Sequence, residues 1–249
     1  MVIIILKFTN VPMYNIDFTG ETVVINNTPL DMYGKFKIFA TKYFADSEMK
    51  KIKRLPVHSQ IRLDTMWARI LIKKIFKKRY NIEGEDFREI VIFNSEDEDT
   101  RGLPRIYYKD KEYPDCLSIS HYDGRVGVAI NPTPCGLDIV KRFTLEEHLD
   151  ASFINYAFSE IERHQLLNKG TIERLELMTL IWGIKEAVSK YLGCGLIYGS
   201  ATVEVFFSEN GEFVDLIFHS KIKKEIISNS LKIYYCWDEQ KSYYQVYIE

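Results

Sequence analysis

The feature that most constrains this sequence is an apolar repeat with helical spacing that ends at two glycines. Its apolar positions recur every three or four residues, as on one buried helical face: Ile172, Leu175, Met178, Ile181, Ile184, Ala187, Val188 and Tyr191. Gly193 and Gly195 then supply a helix C-terminus. The pattern predicts a long helix that carries Lys185, Glu186 and Lys190 on its last turns.

Two interpretations of these charges remain open. Glu186 and Lys190 form an i,i+4 pair, which on a solvated face is worth only about 0.2–0.5 kcal/mol. Charged stretches on helices usually face solvent in this way. Alternatively, the end of one rigid helix holds an acid and two cations in a fixed relation, as a chemical site requires.

A second stretch, residues 134–142, places Asp138 inside an apolar run. The neighbours Leu137, Ile139 and Val140 indicate a short strand, an element in which aspartate is depleted. A carboxylate among apolar neighbours is costly unless it is paired or binds a metal. Asp138 is therefore predicted to be either the partner of a nearby Arg or Lys, or a metal ligand.

Composition narrows the class of protein. The chain has 249 residues, of which 46% are hydrophobic and 14% aromatic, so it is expected to fold as one large domain or two small ones. A formal net charge of −2 argues against nucleic-acid binding. The 4 cysteines lack metal-type spacing, and no apolar stretch is long enough for a membrane span. We therefore expect a cytoplasmic protein with free thiols.

The remaining patterns predict an α+β protein. Strands are predicted at residues 2–8, 21–25, 202–207, 212–218, 231–237 and 243–248, and helices at 62–80 and near 153–167. In the first helix, Met66 and Trp67 are expected in the core. Residues 117–130 predict a hairpin that turns at Asp123 and Gly124.

A basic segment at residues 49–62 is interrupted by Pro56. Its cationic side chains are Lys50, Lys51, Lys53, Arg54, His58 and Arg62. The segment is either a solvated helix end and loop, or a phosphate clamp, because Lys and Arg donate charge-assisted hydrogen bonds to phosphate oxygens. The same choice between a structural and a functional role applies to His121, at the end of the first hairpin strand.

The second half of the chain repeats the order of elements in the first. When the long helices are aligned on Trp67 and Trp182, strand 126–130 falls close to the final strand. This predicts two pseudo-symmetric halves, residues 1–133 and 134–249, each a long helix packed on a small, mainly antiparallel sheet. A cleft at the seam of such halves is the expected active site.

Several motifs in this order resemble the 4′-phosphopantetheinyl transferase superfamily, in particular the long, two-halved type that activates surfactin synthetase. They are SISH at 118–121, GLDIVKR at 136–142, WGIKEAVSK at 182–190 followed by GCGL, and Phe158, Ser159 and Glu162 between the last two. The resemblance implies transfer of the phosphopantetheine arm of coenzyme A to a serine of an apo acyl or peptidyl carrier protein. The other product would be 3′,5′-ADP.

The resemblance also implies roles for individual residues. Asp138 and Glu186 would hold Mg²⁺, with Mn²⁺ as an alternative, and Glu186 would be the base for the carrier serine. Lys185 would stabilise the transferring phosphoryl group, and Lys190 would hold the diphosphate. Coenzyme A phosphates would be bound by Lys50, Lys53, Arg54, Arg62, Ser120 and His121. A monomer is expected, with no nucleic-acid or membrane partner.

The sequence departs from the family pattern at two positions. Val140 stands where surfactin-activating members have a third acidic ligand, and Leu103 stands where a lysine often contacts phosphate. We expect Val140 to leave a more open metal shell. Two alternatives remain: a non-catalytic binding module of the same fold for coenzyme A or a carrier protein, and an unrelated metal-dependent phosphotransferase acting on nucleotides.

Overall fold

The computed structural model describes residues 21–25, 36–57, 59–96, 102–193, 203–207, 214–218, 231–237 and 242–249. The strand predicted at 2–8 lies outside these residues, as do His58 and residues 194–196 of the GCGL motif. The described residues fall into two compact units. An N-terminal unit ends at Cys135, and a C-terminal unit covers Gly136–Glu249.

The N-terminal unit places one long helix on two small antiparallel sheets. Its elements are β1 (Glu21–Ile25), α1 (Phe36–Tyr43), α2 (Asp46–Ile52), α3 (Gln60–Arg79), β2 (Ile90–Asn94), β3 (Pro104–Tyr108), β4 (Lys111–Glu112), β5 (Cys116–Tyr122) and β6 (Arg125–Asn131). The strand orders are β1-β6-β5 and β2-β3-β4. The buried face of α3 shares one core with β2, β3, β5 and β6.

Local chemistry explains the main elements of this unit. Ser59 caps α3 by accepting a hydrogen bond from the backbone N–H of Arg62 at 3.3 Å. The predicted hairpin is confirmed as β5 and β6, and its turn residues Asp123 and Gly124 have φ values of 46° and 84°, as the favoured two-residue turn requires. Met66 is buried and Trp67 packs against the core, as predicted.

The C-terminal unit repeats this plan. Its elements are β7 (Gly136–Lys141), α4 (Leu145–Leu149), α5 (Ala151–Ala157), α6 (Glu160–Leu166), α7 (Thr171–Tyr191), β8 (Val203–Phe207), β9 (Val214–Phe218), β10 (Ile233–Trp237) and β11 (Tyr243–Ile248). The strand orders are β10-β11-β7 and β8-β9, all antiparallel. The α+β prediction is confirmed.

Two details of the predicted helices were wrong. The helix expected near residues 153–167 is two short helices, because Phe158 is extended (φ −126°, ψ 131°) and Ser159 caps a new helix. The predicted α7 is present and is followed by Gly193 with φ 70°. However, Ile172 in its first turn is 64% exposed and does not belong to the buried face.

The repeat is clearest in the order of elements. In each unit a first strand is followed by short helices, one long helix and two hairpins, and the last strand pairs with both its hairpin partner and the first strand. Among the residues that the structure describes, each unit also contains one buried lysine–glutamate ion pair. Lys73 on α3 lies 2.6 Å from Glu48 on α2, and Lys185 on α7 lies 2.6 Å from Glu162 on α6.

These ion pairs correct the predicted register of the repeat. The two buried pairs make Lys73 equivalent to Lys185. Ile70 and Trp182 each lie three residues before these lysines, so Ile70 is equivalent to Trp182. The predicted equivalence of Trp67 with Trp182 is therefore wrong by three residues, close to one helical turn. The alignment on tryptophan was wrong because Trp67 lies about one helical turn before Ile70, on the same face of α3. A tryptophan at that position is therefore easily paired with Trp182.

Candidate active site

The candidate site is built on the close contact between β7 and α7. A Cβ atom at Gly136 would overlap the carbonyl oxygen of Ala187, and one at Gly183 would lie 2.9 Å from Val140 Cγ1. Glycine at both positions lets the strand lie directly on the helix. Because alternate strand residues share a face, Asp138 points to α7 between these two contacts.

Asp138 is paired with a lysine of that helix. Lys190 Nζ donates hydrogen bonds to Asp138 Oδ1 at 2.7 Å and to the carbonyl oxygen of Leu137 at 2.9 Å. The Asp138 side chain is only 9% exposed, and that of Lys190 is 27% exposed. Asp138 is therefore paired with a lysine, which is one of the two predicted alternatives. The partner, Lys190, is itself a predicted site residue.

Glu186 shares this half-buried space. Burial raises the pKa of Glu186, the negative charge of Asp138 raises this pKa further, and Lys190 opposes the rise. Two carboxylates that repel one another in a partly desolvated place are a donor set suited to a divalent cation with oxygen ligands. Asp138 and Glu186 therefore fit a Mg²⁺ or Mn²⁺ ion.

The third ligand position of the family pattern does not contribute to this donor set. Val140 is buried in the apolar core of the C-terminal unit. In the part of the chain that the structure describes, no group of three or more His, Cys, Asp or Glu side chains could hold a metal ion. A metal at this site would therefore have two carboxylate ligands from these residues.

Lys185 is adjacent to Glu186 in sequence but its side chain is fully buried. Its Nζ donates hydrogen bonds to Glu162 Oε2 at 2.6 Å and to the carbonyl oxygen of Ala157 at 2.9 Å, with 0% of either charged side chain exposed. Burial lowers the pKa of Lys185, and the Glu162 carboxylate opposes this shift. The predicted contact between Lys185 and a phosphoryl group finds no support in this placement.

Glu162 is the partner for which the sequence analysis gave no role. Its Oε2 accepts a hydrogen bond from Ser159 N and its Oε1 accepts one from Val205 N, both at 2.8 Å. The Ser159 to Glu162 spacing is a capping box, so the sequence contained a signal for the start of α6. It contained none for the ion pair with Lys185, 23 residues away.

In the N-terminal unit, the predicted residues Ser120 and His121 lie at the end of β5. Ser120 is buried, and the His121 side chain is 33% exposed. The buried Asp64 on α3 lies with Oδ2 3.9 Å from His121 Nδ1 and accepts a hydrogen bond from Gly124 N at 3.3 Å. An acid beside the ring is an electrostatic partner for a protonated imidazole. No pattern in the sequence near His121 points to Asp64, which is 57 residues away.

The residues of the predicted phosphate clamp differ in their exposure to solvent. Lys50, Lys53 and Arg54 are exposed on α2 and the loop after it, whereas Arg62 is buried in the first turn of α3. Lys51 lies over the Phe93 ring at 5.1 Å. It lines a cavity of about 430 Å³ together with Phe93, Asn94, Ser95, Glu96, Arg105, Tyr107 and Glu112. The cavity adds Arg105 to the candidate cations and is also lined by Lys51 of the basic segment.

Comparison with known proteins supports the predicted family. Residues 134–243, which include β7 and α7, match the family model of the 4′-phosphopantetheinyl transferase superfamily. The chain is 24% identical to 4′-phosphopantetheinyl transferase Sfp of Bacillus subtilis (strain 168) over 170 residues, which are 68% of this chain and 69% of that protein.

Solved structures of holo-acyl-carrier-protein synthases give weaker matches. The Bacillus anthracis str. Ames enzyme in complex with CoA (3′,5′-ADP) is 21% identical with a TM-score of 0.36, over 47% of this chain and 93% of that one. The Helicobacter pylori enzyme in complex with coenzyme A is 16% identical with a TM-score of 0.37, over 46% and 96%. Because these TM-scores are below 0.5, the assignment rests on the sequence matches.

An α+β fold whose long helix presents an acid and a lysine to an aspartate on the adjacent strand defines a candidate phosphotransfer protein. The sequence matches support the predicted class, because residues 134–243 match the model of the 4′-phosphopantetheinyl transferase superfamily and the chain is similar to one 4′-phosphopantetheinyl transferase. The predicted enzyme class is confirmed with it. No helix among the described residues is long and apolar enough to cross a membrane.

Proposed function

We propose that this protein transfers the 4′-phosphopantetheine arm of coenzyme A to a serine of an apo acyl or peptidyl carrier protein in a Mg²⁺-dependent reaction that releases 3′,5′-ADP. The observation that carries the proposal is the arrangement of Asp138, Glu186 and Lys190 between β7 and α7. The clients are proposed to be carriers of secondary metabolism, and the protein a cytoplasmic monomer, from the family resemblance.

Asp138 and Glu186 are the proposed metal ligands. A bound Mg²⁺ would neutralise charge on the diphosphate of coenzyme A, which otherwise repels a nucleophile. The two carboxylates offer oxygen donors from a strand and a helix that are held in direct contact at Gly136 and Gly183. Mn²⁺ suits the same donors.

Glu186 is also the proposed proton acceptor. The carrier serine oxygen forms a bond to the phosphorus that carries pantetheine, the bond from this phosphorus to the bridging oxygen breaks, and the electron pair leaves with 3′,5′-ADP. Glu186 takes the serine proton, directly or through a water molecule. Its raised pKa favours this role, because a carboxylate with a higher pKa is a stronger base.

Lys190 is proposed to bind the diphosphate. Its side chain keeps partial exposure while it is hydrogen bonded to Asp138 and to the backbone of β7. This pairing holds the ammonium group beside the acid pair, where a phosphate oxygen would gain a charge-assisted hydrogen bond.

The N-terminal unit supplies the proposed contacts to the remaining phosphates. His121, with Asp64 behind its ring, is proposed to bind the 3′-phosphate. Further proposed contacts come from Lys50, Lys53, Arg54, Arg62 and Ser120, to which the cavity adds Lys51 and Arg105. Lys and Arg at such positions bind phosphate by charge-assisted hydrogen bonds.

A second candidate function is a non-catalytic module that binds coenzyme A or a carrier protein. The observation that favours it is the buried Val140, which leaves two carboxylates in place of three. The two candidates share the binding residues and differ in whether a covalent product forms.

The deciding experiment is the intact mass of an apo carrier protein after incubation with this protein, coenzyme A and Mg²⁺, with EDTA as the control. A gain of one phosphopantetheine that EDTA prevents supports the transferase. A fatty-acid, a polyketide and a peptide carrier should each be offered. No mass gain on any of them, with coenzyme A binding still measured by calorimetry, selects the binding module.

A further inference from the structure

The buried ion pair of the C-terminal unit has a well-defined set of contacts. Lys185 donates to Glu162 and to the carbonyl oxygen of Ala157, and Glu162 accepts hydrogen bonds from Ser159 N and Val205 N. These contacts join α7, the start of α6 and strand β8. A buried ion pair with its remaining hydrogen bonds satisfied in this way specifies a single arrangement of the elements that it joins.

The N-terminal unit contains the same set of contacts. Lys73 donates to Glu48 and to the carbonyl oxygen of Tyr43, each at 2.6 Å. Glu48 accepts hydrogen bonds from Ala45 N at 3.3 Å and from Ile92 N at 3.2 Å. In each unit the glutamate is the third residue of a short helix, and it caps that helix and accepts from a strand. The pair is therefore part of the repeated fold.

What differs between the units is the residue after the lysine. Lys73 is followed by the exposed Lys74, whereas Lys185 is followed by the proposed base Glu186. A unit without an acid at this position keeps every contact of the ion pair. The contacts of Lys185 are thus explained by holding a helix in place, without any contact to a reacting phosphoryl group.

In the C-terminal unit the ion pair holds the helical turn on which the acid lies. Lys185 ties α7 to α6 on one side of Glu186, and Lys190 ties α7 to β7 on the other. We propose that Lys185 and Glu162 are positioning residues that act through Glu186, by fixing the turn of α7 that presents it to Asp138. This inference rests on the proposed function and gives Lys185 a different role from the phosphoryl contact that the resemblance implies.

The repeat provides a matched control. Glu162→Gln and Glu48→Gln make the same chemical change in the same set of contacts, so both are expected to lower the melting temperature by similar amounts. Only Glu162→Gln is expected to lower kcat for carrier modification, by roughly 10–100-fold, since small displacements of a catalytic group have effects of this size. Glu48→Gln is expected to leave kcat unchanged, with any effect confined to KM for coenzyme A, because Glu48 holds the helix that carries Lys50.

A double variant separates positioning from direct contact. Lys185→Met leaves the Glu162 charge buried without its partner, which is strongly destabilising, whereas a neutral buried pair of similar volume is often tolerated. Positioning therefore predicts a higher kcat for Glu162→Gln/Lys185→Met than for Lys185→Met alone. Direct contact with the phosphoryl group predicts that the double variant is no better, because both lack the ammonium group.

The wild-type protein in the same assay separates a failure of the proposed function from a failure of the positioning role. Absence of transfer by the wild type overturns the proposed function, and the positioning role with it. With an active wild type, equal kcat values for the two glutamine variants, or a double variant no better than Lys185→Met, overturn the positioning role alone. A kcat loss specific to Glu162→Gln together with recovery in the double variant supports it.

Discussion

Lys190 Nζ lies 2.7 Å from Asp138 Oδ1, across 52 residues of sequence. This ion pair ties the end of α7 to the first half of β7 and keeps a cation beside two carboxylates. One lysine, Asp138 and Glu186 together carry a formal charge of −1 when both acids are ionised. The site can therefore accept a divalent cation and still present a net positive charge to a diphosphate.

The first prediction concerns Asp138. Asp138→Asn keeps the side-chain volume but removes one of two proposed anionic ligands, so we expect kcat to fall by roughly 10²–10³-fold, the range for losing one strong electrostatic contact in an active site. The measurement is steady-state carrier modification at several Mg²⁺ concentrations. Asp150→Asn is the matched control, since Asp150 caps α5 in the same unit. Equal activity of the two variants would contradict the metal assignment.

The second prediction concerns Glu186 and its pKa. Because folding raises the pKa of this acid, the folded state holds its proton more tightly than the unfolded chain does, and ionised Glu186 destabilises the fold above the unfolded pKa. Glu186→Gln removes this penalty. We expect it to abolish transfer while giving an equal or higher melting temperature at neutral pH in EDTA. The advantage should disappear near pH 3, where the wild-type acid is protonated in both states.

Differential scanning calorimetry across this pH range measures the stability effect, and carrier mass spectrometry measures the activity. A Glu186→Gln protein that still modifies the carrier would remove Glu186 from the mechanism. A Glu186→Gln protein that melts well below the wild type in EDTA at neutral pH would show that ionised Glu186 stabilises the fold, which is the opposite of the predicted effect.

The third prediction concerns His121. If this side chain binds the 3′-phosphate of coenzyme A, His121→Ala should raise KM for coenzyme A by roughly 10–100-fold, the equivalent of a charge-assisted hydrogen bond of about 1.5–3 kcal/mol. It should change KM for dephospho-coenzyme A, which lacks that phosphate, much less. His164→Ala, in the exposed face of α6, is the control. Equal losses with both substrates would show that His121 acts elsewhere.

The fourth prediction tests the buried ion pair of the N-terminal unit. Lys73→Met leaves Glu48 charged and buried, and should lower the free energy of unfolding by about 3–5 kcal/mol. Lys74→Met, one residue along α3 on its exposed face, should cost about 0.5 kcal/mol or less. Urea unfolding followed by tryptophan fluorescence compares the two. Similar midpoints for both variants would mean that the Lys73–Glu48 pair contributes little.

The elements that carry the motifs could be predicted because their signals are local. The helix ending near Gly193, the strand around Asp138 and the hairpin at Asp123-Gly124 each follow from the spacing of neighbouring residues. The resemblance then placed Asp138, Glu186 and Lys190 in one site, and the structure brings these three together.

The rest depended on contacts between distant residues. Nothing near Lys185 in sequence indicates that its partner is Glu162, and nothing near His121 indicates Asp64. Strands β2 and β3 were missed because each has only five residues and the sequence between them is rich in polar residues. The repeat was recognised but placed in the wrong register, since only the buried ion pairs define the true equivalence.

The separation of Asp138 and Glu186 is set by the main chain of β7 resting on α7 at two glycines, neither of which is itself a proposed ligand. A larger residue at Gly136 or Gly183 would push β7 away from α7. This movement would increase the distance between Asp138 and Glu186 even if every charged residue were kept. A mutant library restricted to charged positions would therefore miss two positions on which the proposed metal site depends. A search for altered metal preference should randomise these glycines together with Val140, whose side chain fills the space above Gly183.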